Sequence, residues 1–195
     1  MIKLTFGLIA GALAIGCFLP YLRDIFKRKT TPHTYSWLIW SILQITGVVA
    51  IIVGHGGYYG VLGIGIGALF CLSIFTLSFK YGTKNITIVD TVSFIGALFA
   101  IFIWVFTKNP LYSVILISII DFVGFIPTIR KGYEEPHTET MSTYFMASIS
   151  DVFAILALST FSVVTTLYLG TLVFSNALFV AILLYRRRFT NRPLL

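Results

Sequence analysis

A chain of 195 residues, of which 57% are hydrophobic and only 11% are charged, has too few charges to cover a water-facing surface. Soluble domains carry about 25% charged residues. The formal charge of +7 would suit a nucleic-acid-binding protein, but the apolar residues form long runs instead of amphipathic stripes. The expected surroundings of this apolar chain are therefore a lipid bilayer, and nucleic acid is not an expected partner.

The predicted elements, taken in chain order, are apolar helices. Uncharged runs cover residues 4–22, 35–53, 58–79 and 91–107. Residues 110–129 contain one charged residue, Asp121, and residues 140–185 contain one, Asp151, over a length that holds two helices with a break near 159–162. A helix needs roughly 20 apolar residues to cross the bilayer core. Since the runs lack the alternation of barrel strands, they predict an all-α transmembrane chain of seven helices.

The basic residues predict the orientation of these helices. With the N-terminus outside, only Lys3 and Lys108 of the 14 basic residues face outwards. The other twelve face the cytoplasm: Arg23, Lys27, Arg28, Lys29, Lys80, Lys84, Arg130, Lys131, Arg186, Arg187, Arg188 and Arg192. This bias follows the positive-inside rule and requires an odd number of helices. The short loops favour a bacterial inner (plasma) membrane, with the C-terminus in the cytoplasm.

An internal repeat divides the chain. Residues 18–23 read FLPYLR and residues 125–130 read FIPTIR, and a Pro-His-Thr sequence follows each at 32–34 and 136–138. The repeat predicts two three-helix units, residues 1–87 and residues 109–195, the second with a basic tail. One linker helix, residues 88–108, restores the starting side of the membrane, so that the two repeats lie parallel (3+1+3).

This layout resembles the SWEET, SemiSWEET and PQ-loop superfamily of membrane proteins. The resemblance rests on Pro20 with Arg23 and on Pro127 with Arg130, near the inner end of the first helix of each repeat. It implies transport of a small polar solute, a sugar or an amino-acid-like compound, by alternating access between the repeats. Since proline removes a helix hydrogen bond, the matching repeat positions of Pro20 and Pro127 predict a gating hinge, with a loop-adjacent helix breaker as the alternative.

Two acidic residues are the sharpest candidates for the solute site. Asp121 and Asp151 are predicted near the middle of the fifth and sixth helices, where a carboxylate costs about 2.5–3.5 kcal/mol on insertion scales. Such residues normally face a cavity or a partner, and two that face each other would share a proton. They therefore indicate proton coupling or the binding of a cationic group. The alternative is helix packing through a protonated or hydrogen-bonded carboxyl group.

Four further residues are candidates for binding the solute. Asn176 matches an asparagine that the family carries in the third helix of each repeat. In the first repeat of this chain, Gly67 or Ala68 stands at the corresponding position. Gln44 offers a second amide, although both amides would also serve as interhelical hydrogen bonds worth about 0.6 kcal/mol each. Trp40 and Tyr144 occupy matching repeat positions, where they could line a pocket or form a gate.

No nucleophile and base pair, cofactor motif or metal-ligand spacing occurs in the sequence, so no enzyme activity, catalytic residue, cofactor or metal is predicted. His33 and His137 belong to the repeated helix-start sequence. The predicted partners are a small polar solute and the bilayer, with protons and further copies of the chain left open. A receptor or interaction protein that does not transport is the alternative function, and a midplane too tightly packed for a cavity would favour it.

Overall fold

The computed structural model describes residues 1–106 and 110–190, and every regular element within them is a helix. The seven α-helices are α1 (Ile2–Phe26), α2 (Thr34–Val53), α3 (Leu62–Tyr81), α4 (Ile88–Phe106), α5 (Pro110–Glu134), α6 (Met141–Ala157) and α7 (Val163–Arg187). Short 3-10 helices, Tyr58–Val61 and Pro136–Thr138, precede α3 and α6. The predicted all-α chain of seven helices is confirmed, although the predicted end of the linker helix at Lys108 lies outside the described residues.

The helix ends follow local sequence signals. Glycine ends α2 at Gly54 and α3 at Gly82, where each backbone N–H donates to the carbonyl group four residues earlier. Ser162 caps α7 in a reciprocal arrangement: its hydroxyl accepts from the Thr165 N–H, and the Thr165 hydroxyl accepts from the Ser162 N–H. Such a capping box satisfies donors at the start of a helix. It places the break between α6 and α7 where the sequence predicts one.

The exterior of the bundle is apolar. Large side chains such as Leu69 and Phe79 are exposed by 69% and 66%, and similar residues follow the outer faces of the helices. Four segments, α1, α2, Tyr58–Tyr81 and α7, are long and apolar enough to cross a bilayer. Soluble monomers rarely expose apolar surface on this scale. The chain is therefore a membrane protein.

The helices of the two repeats pack in the same order. In the first repeat α3 lies between the backbones of α1 and α2, and in the second α7 lies between those of α5 and α6. Aromatic side chains bridge each gap, Tyr21 to Trp37 in the first repeat and Phe125 to Tyr144 in the second. The repeats meet at two corresponding interfaces, α1 against α6 and α5 against α2. Six helices thus form a closed ring in the order α1, α3, α2, α5, α7 and α6. The linker helix α4 lies outside this ring, against α5 and α2.

The connecting segments show which helix ends lie together. The Thr31 N–H donates to the Thr138 carbonyl at 3.4 Å, so the two repeated loops touch, and the Thr83 N–H donates to the Pro32 carbonyl at 3.0 Å. At the opposite end, the Ser159 N–H donates to the Gly56 carbonyl at 2.9 Å. The end that holds the two repeated loops also holds every described basic residue except Lys3. Lys108 and Arg192 lie outside the described residues.

Candidate functional site

A cavity lies at the centre of the ring, and all six ring helices line it. It separates two apolar clusters: one contains Leu43 and Leu169, and the other contains Trp37 and Phe179 near the basic end. About 60 Å³ of the cavity is open to the centres of water molecules. Since one water needs roughly 10–15 Å³ on this measure, the space holds several waters or a compact solute.

All six residues that the sequence predicts for solute binding line this one cavity: Gln44 and Trp40 on α2, Asp121 on α5, Tyr144 and Asp151 on α6, and Asn176 on α7. Residues more than 100 positions apart therefore converge on one space. The two repeats contribute unequally, because both carboxyl groups and Asn176 belong to the second repeat. Their roles in binding remain predictions, and the structure supplies their common location.

The two carboxyl groups have no hydrogen-bond or ion-pair partner among the described residues. Asp121 is fully buried, and neither of its oxygens accepts a hydrogen bond from any described residue. Asp151 is 8% exposed and likewise has no hydrogen bond or ion pair within residues 1–106 and 110–190. Ala14, the repeat counterpart of Asp121, lines the same cavity. A buried charge without a partner is costly, so these groups require a proton, water or a bound cation.

The two amides differ in their remaining hydrogen-bonding capacity. The Asn176 Nδ2 donates to the Leu172 carbonyl of its own helix at 2.9 Å, and no described donor reaches its Oδ1. The Gln44 Nε2 donates to the Cys71 thiol at 3.2 Å. A Cβ atom at Gly67 would collide with the Gln44 Oε1, so the glycine at this position makes room for Gln44. Each amide therefore keeps an oxygen that can accept from a solute.

An aromatic layer closes the cavity on the side of the basic end. Trp40 and Tyr144 contact Phe125 from opposite repeats, with ring centroids 4.6 and 6.4 Å from it. Tyr144 also packs edge-on against Phe179 at 4.6 Å. The indole N–H of Trp40 is buried and donates to no described group. This arrangement is compatible with either predicted role, pocket wall or gate.

A buried polar network lies beyond the aromatic layer and was missed by sequence reasoning. The Lys131 Nζ lies 2.6 Å from the Glu139 Oε1, and both side chains are almost completely buried. The hydroxyl groups of Tyr144 and Tyr21 donate to the Glu139 Oε2 at 3.0 and 3.5 Å. Tyr144 thus links the cavity wall to an ion pair between α5 and the loop before α6. The sequence offered only one signal, an acidic residue directly after the second Pro-His-Thr.

The two prolines lie inside helices and outside the cavity lining. The helix α1 continues from Pro20 to Phe26, and α5 continues from Pro127 to Glu134. Helix breaking is therefore excluded as their role, whereas the predicted hinge remains a prediction. Their location toward the end of the bundle that holds the two repeated loops follows from the bounds of α1 and α5.

The two arginines that follow the repeated prolines at the same spacing, Arg23 and Arg130, lie in different environments. Arg130 forms a two-pronged ion pair with Asp90, at 3.0 Å from Nε and 2.7 Å from Nη2, and so fastens the start of α4 to α5. The Arg23 side chain is 63% exposed, and its one ion pair with a described residue is with its neighbour Asp24. His33 lies 3.4 Å from Asp90, and burial lowers the pKa of its imidazole despite the opposing effect of that carboxylate. Asp90 is thus a structural residue that the sequence did not single out.

No group of three or more His, Cys, Asp or Glu side chains that could hold a metal ion occurs in the part of the chain that the structure describes. The chain also matches no protein-family model, no curated protein and no solved structure.

Proposed function

We propose that the chain transports a small polar solute across the membrane by alternating access between its two three-helix repeats. The observation that carries this proposal is the central cavity, lined by all six ring helices and by two carboxyl groups that form no hydrogen bond with any residue the structure describes. A solute in this cavity would contact both repeats at once. Transporters built from parallel repeats place their site at such an interface.

The likeness of the paired Pro and Arg positions to SWEET and PQ-loop proteins supports the same proposal, as does the matching order of helices in the two repeats. The closed aromatic layer would serve as the inner gate, with Pro20 and Pro127 as the hinges that let it open. Asp121 and Asp151 are the groups through which transport would be coupled to protons. A midplane packed too tightly for a cavity would have favoured the non-transporting alternative, and the central cavity removes that argument for it.

An uptake screen tests this function. Purified full-length protein in proteoliposomes is exposed to labelled sugars, amino acids, vitamins and small amines, with and without a pH gradient. Protein-free liposomes and the Asp151→Asn variant serve as controls. Uptake that requires the protein and Asp151 is expected for at least one class. Failure of every class under both conditions would overturn the proposal.

We propose further that the end with the repeated loops faces the cytoplasm, since it holds every described basic residue except Lys3. Single cysteines introduced at Glu135 and at His55, in a background without Cys17 and Cys71, test the orientation with a membrane-impermeant reagent. Glu135 and His55 are exposed and lie at opposite ends of the bundle. In intact cells the reagent should label His55→Cys and spare Glu135→Cys, and the reverse pattern would overturn the orientation.

A further inference from the structure

The charge of the cavity lining is unbalanced. Asp121 and Asp151 face the same space, and the described residues that line it include no Lys, Arg or His. Both oxygens of Asp121 are buried and accept no hydrogen bond within residues 1–106 and 110–190. The Lys131 ammonium, which lies toward the basic end of the same helix as Asp121, is already paired with Glu139 at 2.6 Å. The carboxyl groups therefore have no internal counterion among the described residues.

The rest of the lining has the chemistry of a site for an organic cation. Five aromatic side chains line the same cavity as the carboxyl groups, and the faces of aromatic rings attract cations: Phe18, Trp37, Trp40, Phe125 and Tyr144. A metal ion would need a shell of oxygen, nitrogen or sulfur ligands, and the described residues contain no group of three suitable side chains. A neutral sugar could donate hydroxyl hydrogen bonds to the carboxylates but could not neutralise their charge. An ammonium group does both.

From this lining we infer that the transported solute is a compact organic cation, an ammonium compound held between Asp121 and Asp151 and walled by the aromatic rings. This inference rests on the proposed transport function and names its substrate class. The cavity has room for several waters, about 60 Å³ open to water centres, which favours a small ammonium compound. The Trp40 N–H and the Asn176 carbonyl are then free to orient a polar group at its other end.

The same carboxyl groups would exchange the cation for a proton. In the empty cavity a proton held by the pair reduces its charge, and the incoming ammonium group displaces that proton to water, so that one positive charge replaces another. The other titratable groups near the pair are thiols and phenols, which are ordinarily neutral at pH 7. They are Cys17 on α1, Cys71 on α3, Tyr144 on α6 and Tyr168 on α7. The elements α2 and α5 present only Gln44, Trp37, Trp40 and Phe125 to the cavity besides Asp121.

Binding to the purified full-length protein in an uncharged detergent tests the inference directly. The probes are choline, methylammonium and putrescine, and the control is 3,3-dimethylbutan-1-ol, in which carbon replaces the charged nitrogen of choline. Tryptophan fluorescence and calorimetry at pH 6, 7 and 8 report affinity and proton release. At least one cation should bind with release of a proton, and its affinity should fall about tenfold per pH unit on acidification wherever one proton is displaced.

Matched variants assign the effect to the cavity. Asp121→Asn and Asp151→Asn should each lose cation binding and its pH dependence, whereas Glu135→Gln removes an exposed carboxylate outside the cavity and should leave both unchanged. Asp151→Glu keeps the charge and should retain binding. Gel-filtration profiles and thermal unfolding establish that each variant is folded before its binding is compared.

Several results would overturn the inference. One is failure of all three cations to bind above the level of Asp121→Asn. Another is binding of the neutral choline analogue as strong as that of choline. A third is displacement of the bound ammonium compound by sodium chloride as effective as its displacement by another of the cations, which would indicate an inorganic cation. An affinity that is the same at pH 6 and pH 8 would overturn the exchange with protons. Uptake of a neutral solute that survives in Asp151→Asn would overturn the substrate class and leave transport intact. Cation binding without uptake would overturn transport and leave the site intact.

Discussion

The hydroxyl group of Thr143 on α6 donates a hydrogen bond of 2.8 Å to the carbonyl oxygen of Cys17 on α1, three residues before Pro20. The corresponding interface between α5 and α2 has a hydrogen bond of the same kind. The Ser36 hydroxyl on α2 donates at 2.8 Å to the carbonyl oxygen of Gly124 on α5, three residues before Pro127. A proline disturbs the hydrogen bonds of the turn before it, and neighbouring hydroxyl groups can satisfy the disturbed carbonyls.

Removal of the Thr143 hydroxyl should therefore weaken the contact between the repeats. Thr143→Val keeps the shape of the side chain and should lower the free energy of unfolding by about 0.5–1.5 kcal/mol, as interhelical hydrogen bonds in membranes are worth. Denaturant unfolding in mixed micelles measures the loss. Thr171→Val is the matched control, because the Thr171 hydroxyl bonds only the Leu167 carbonyl of its own helix. Equal losses of unfolding free energy in the two variants would show that the Thr143 hydroxyl has no special role beside the proline.

The buried ion pair should be sensitive to loss of one partner and tolerant of loss of both. Glu139→Gln leaves the fully buried Lys131 ammonium without a counterion, and we expect a loss of about 3–5 kcal/mol in unfolding free energy. Lys131→Met combined with Glu139→Gln should regain most of this stability, because glutamine still accepts from the Tyr144 hydroxyl. Unfolding of both variants in the same micelles measures the difference.

An exposed ion pair supplies the control for this comparison. Glu134 lies 2.6 Å from Arg130, but its side chain is 48% exposed, so Glu134→Gln should cost about 1 kcal/mol or less. A loss at Glu139 no larger than the loss at Glu134 would contradict the buried environment of Lys131. Failure of the double variant to recover would show that Glu139 acts through other contacts than the ion pair.

Arg130 and Lys131 form ion pairs with different partners, and the sequence could not predict which partner each would have. Long apolar runs and the repeated proline sequence predict seven helices, their breaks and a paired architecture, because the bilayer dictates helix length and every backbone group must be satisfied. Two adjacent basic residues look alike in that pattern. They project from α5 about 100° apart, and Arg130 meets Asp90 while Lys131 meets Glu139.

Part of the cavity lining could also be predicted from the sequence. Intramembrane carboxyl groups are rare enough that Asp121 and Asp151 could be selected without a structure. Their convergence with Gln44 depends on the order of helices in the ring, and helices that are apolar on every face carry no periodicity that would reveal it. The role of Glu139 escaped detection for a related reason, since a charged residue between two helices is normally exposed to solvent.

Close helix packing at Gly7 predicts a steric penalty for any larger residue. A Cβ atom at Gly7 would lie 2.7 Å from the backbone carbonyl oxygen of Tyr59, which cannot move as a side chain does. Gly7→Ala should therefore cost about 1–3 kcal/mol of unfolding free energy. Nothing lies within 4 Å of a Cβ atom at Gly170, so Gly170→Ala should be neutral or stabilising by up to about 1 kcal/mol. Thermal unfolding of the two variants in parallel checks this, and a stable Gly7→Ala protein would contradict the contact between α1 and the Tyr58–Val61 segment.

The buried imidazole of His33 predicts a loss of stability in acid. Burial lowers the pKa of His33 below its ordinary value of 6.5, so at pH 7 the ring is neutral in the folded chain and mostly neutral in the unfolded chain. As the pH falls below 6.5, the unfolded chain binds a proton at this residue before the folded chain does. The free energy of unfolding should then decrease, by at most about 1.4 kcal/mol per pH unit, until the folded ring titrates as well.

Substitution of His33 isolates this contribution from every other titrating group. His33→Asn keeps a residue that suits the position before α2 but cannot titrate in this range. Unfolding midpoints of the parent protein and the variant, measured at pH 7.5 and at pH 5.5, give two acid-induced losses to compare. The loss should be smaller for His33→Asn, because only the parent protein must keep an uncharged ring beside Asp90 while its unfolded chain gains a proton. An equal loss would place the acid sensitivity elsewhere, and a larger loss in the variant would reverse the sign and mean that protonated His33 stabilises the fold through Asp90.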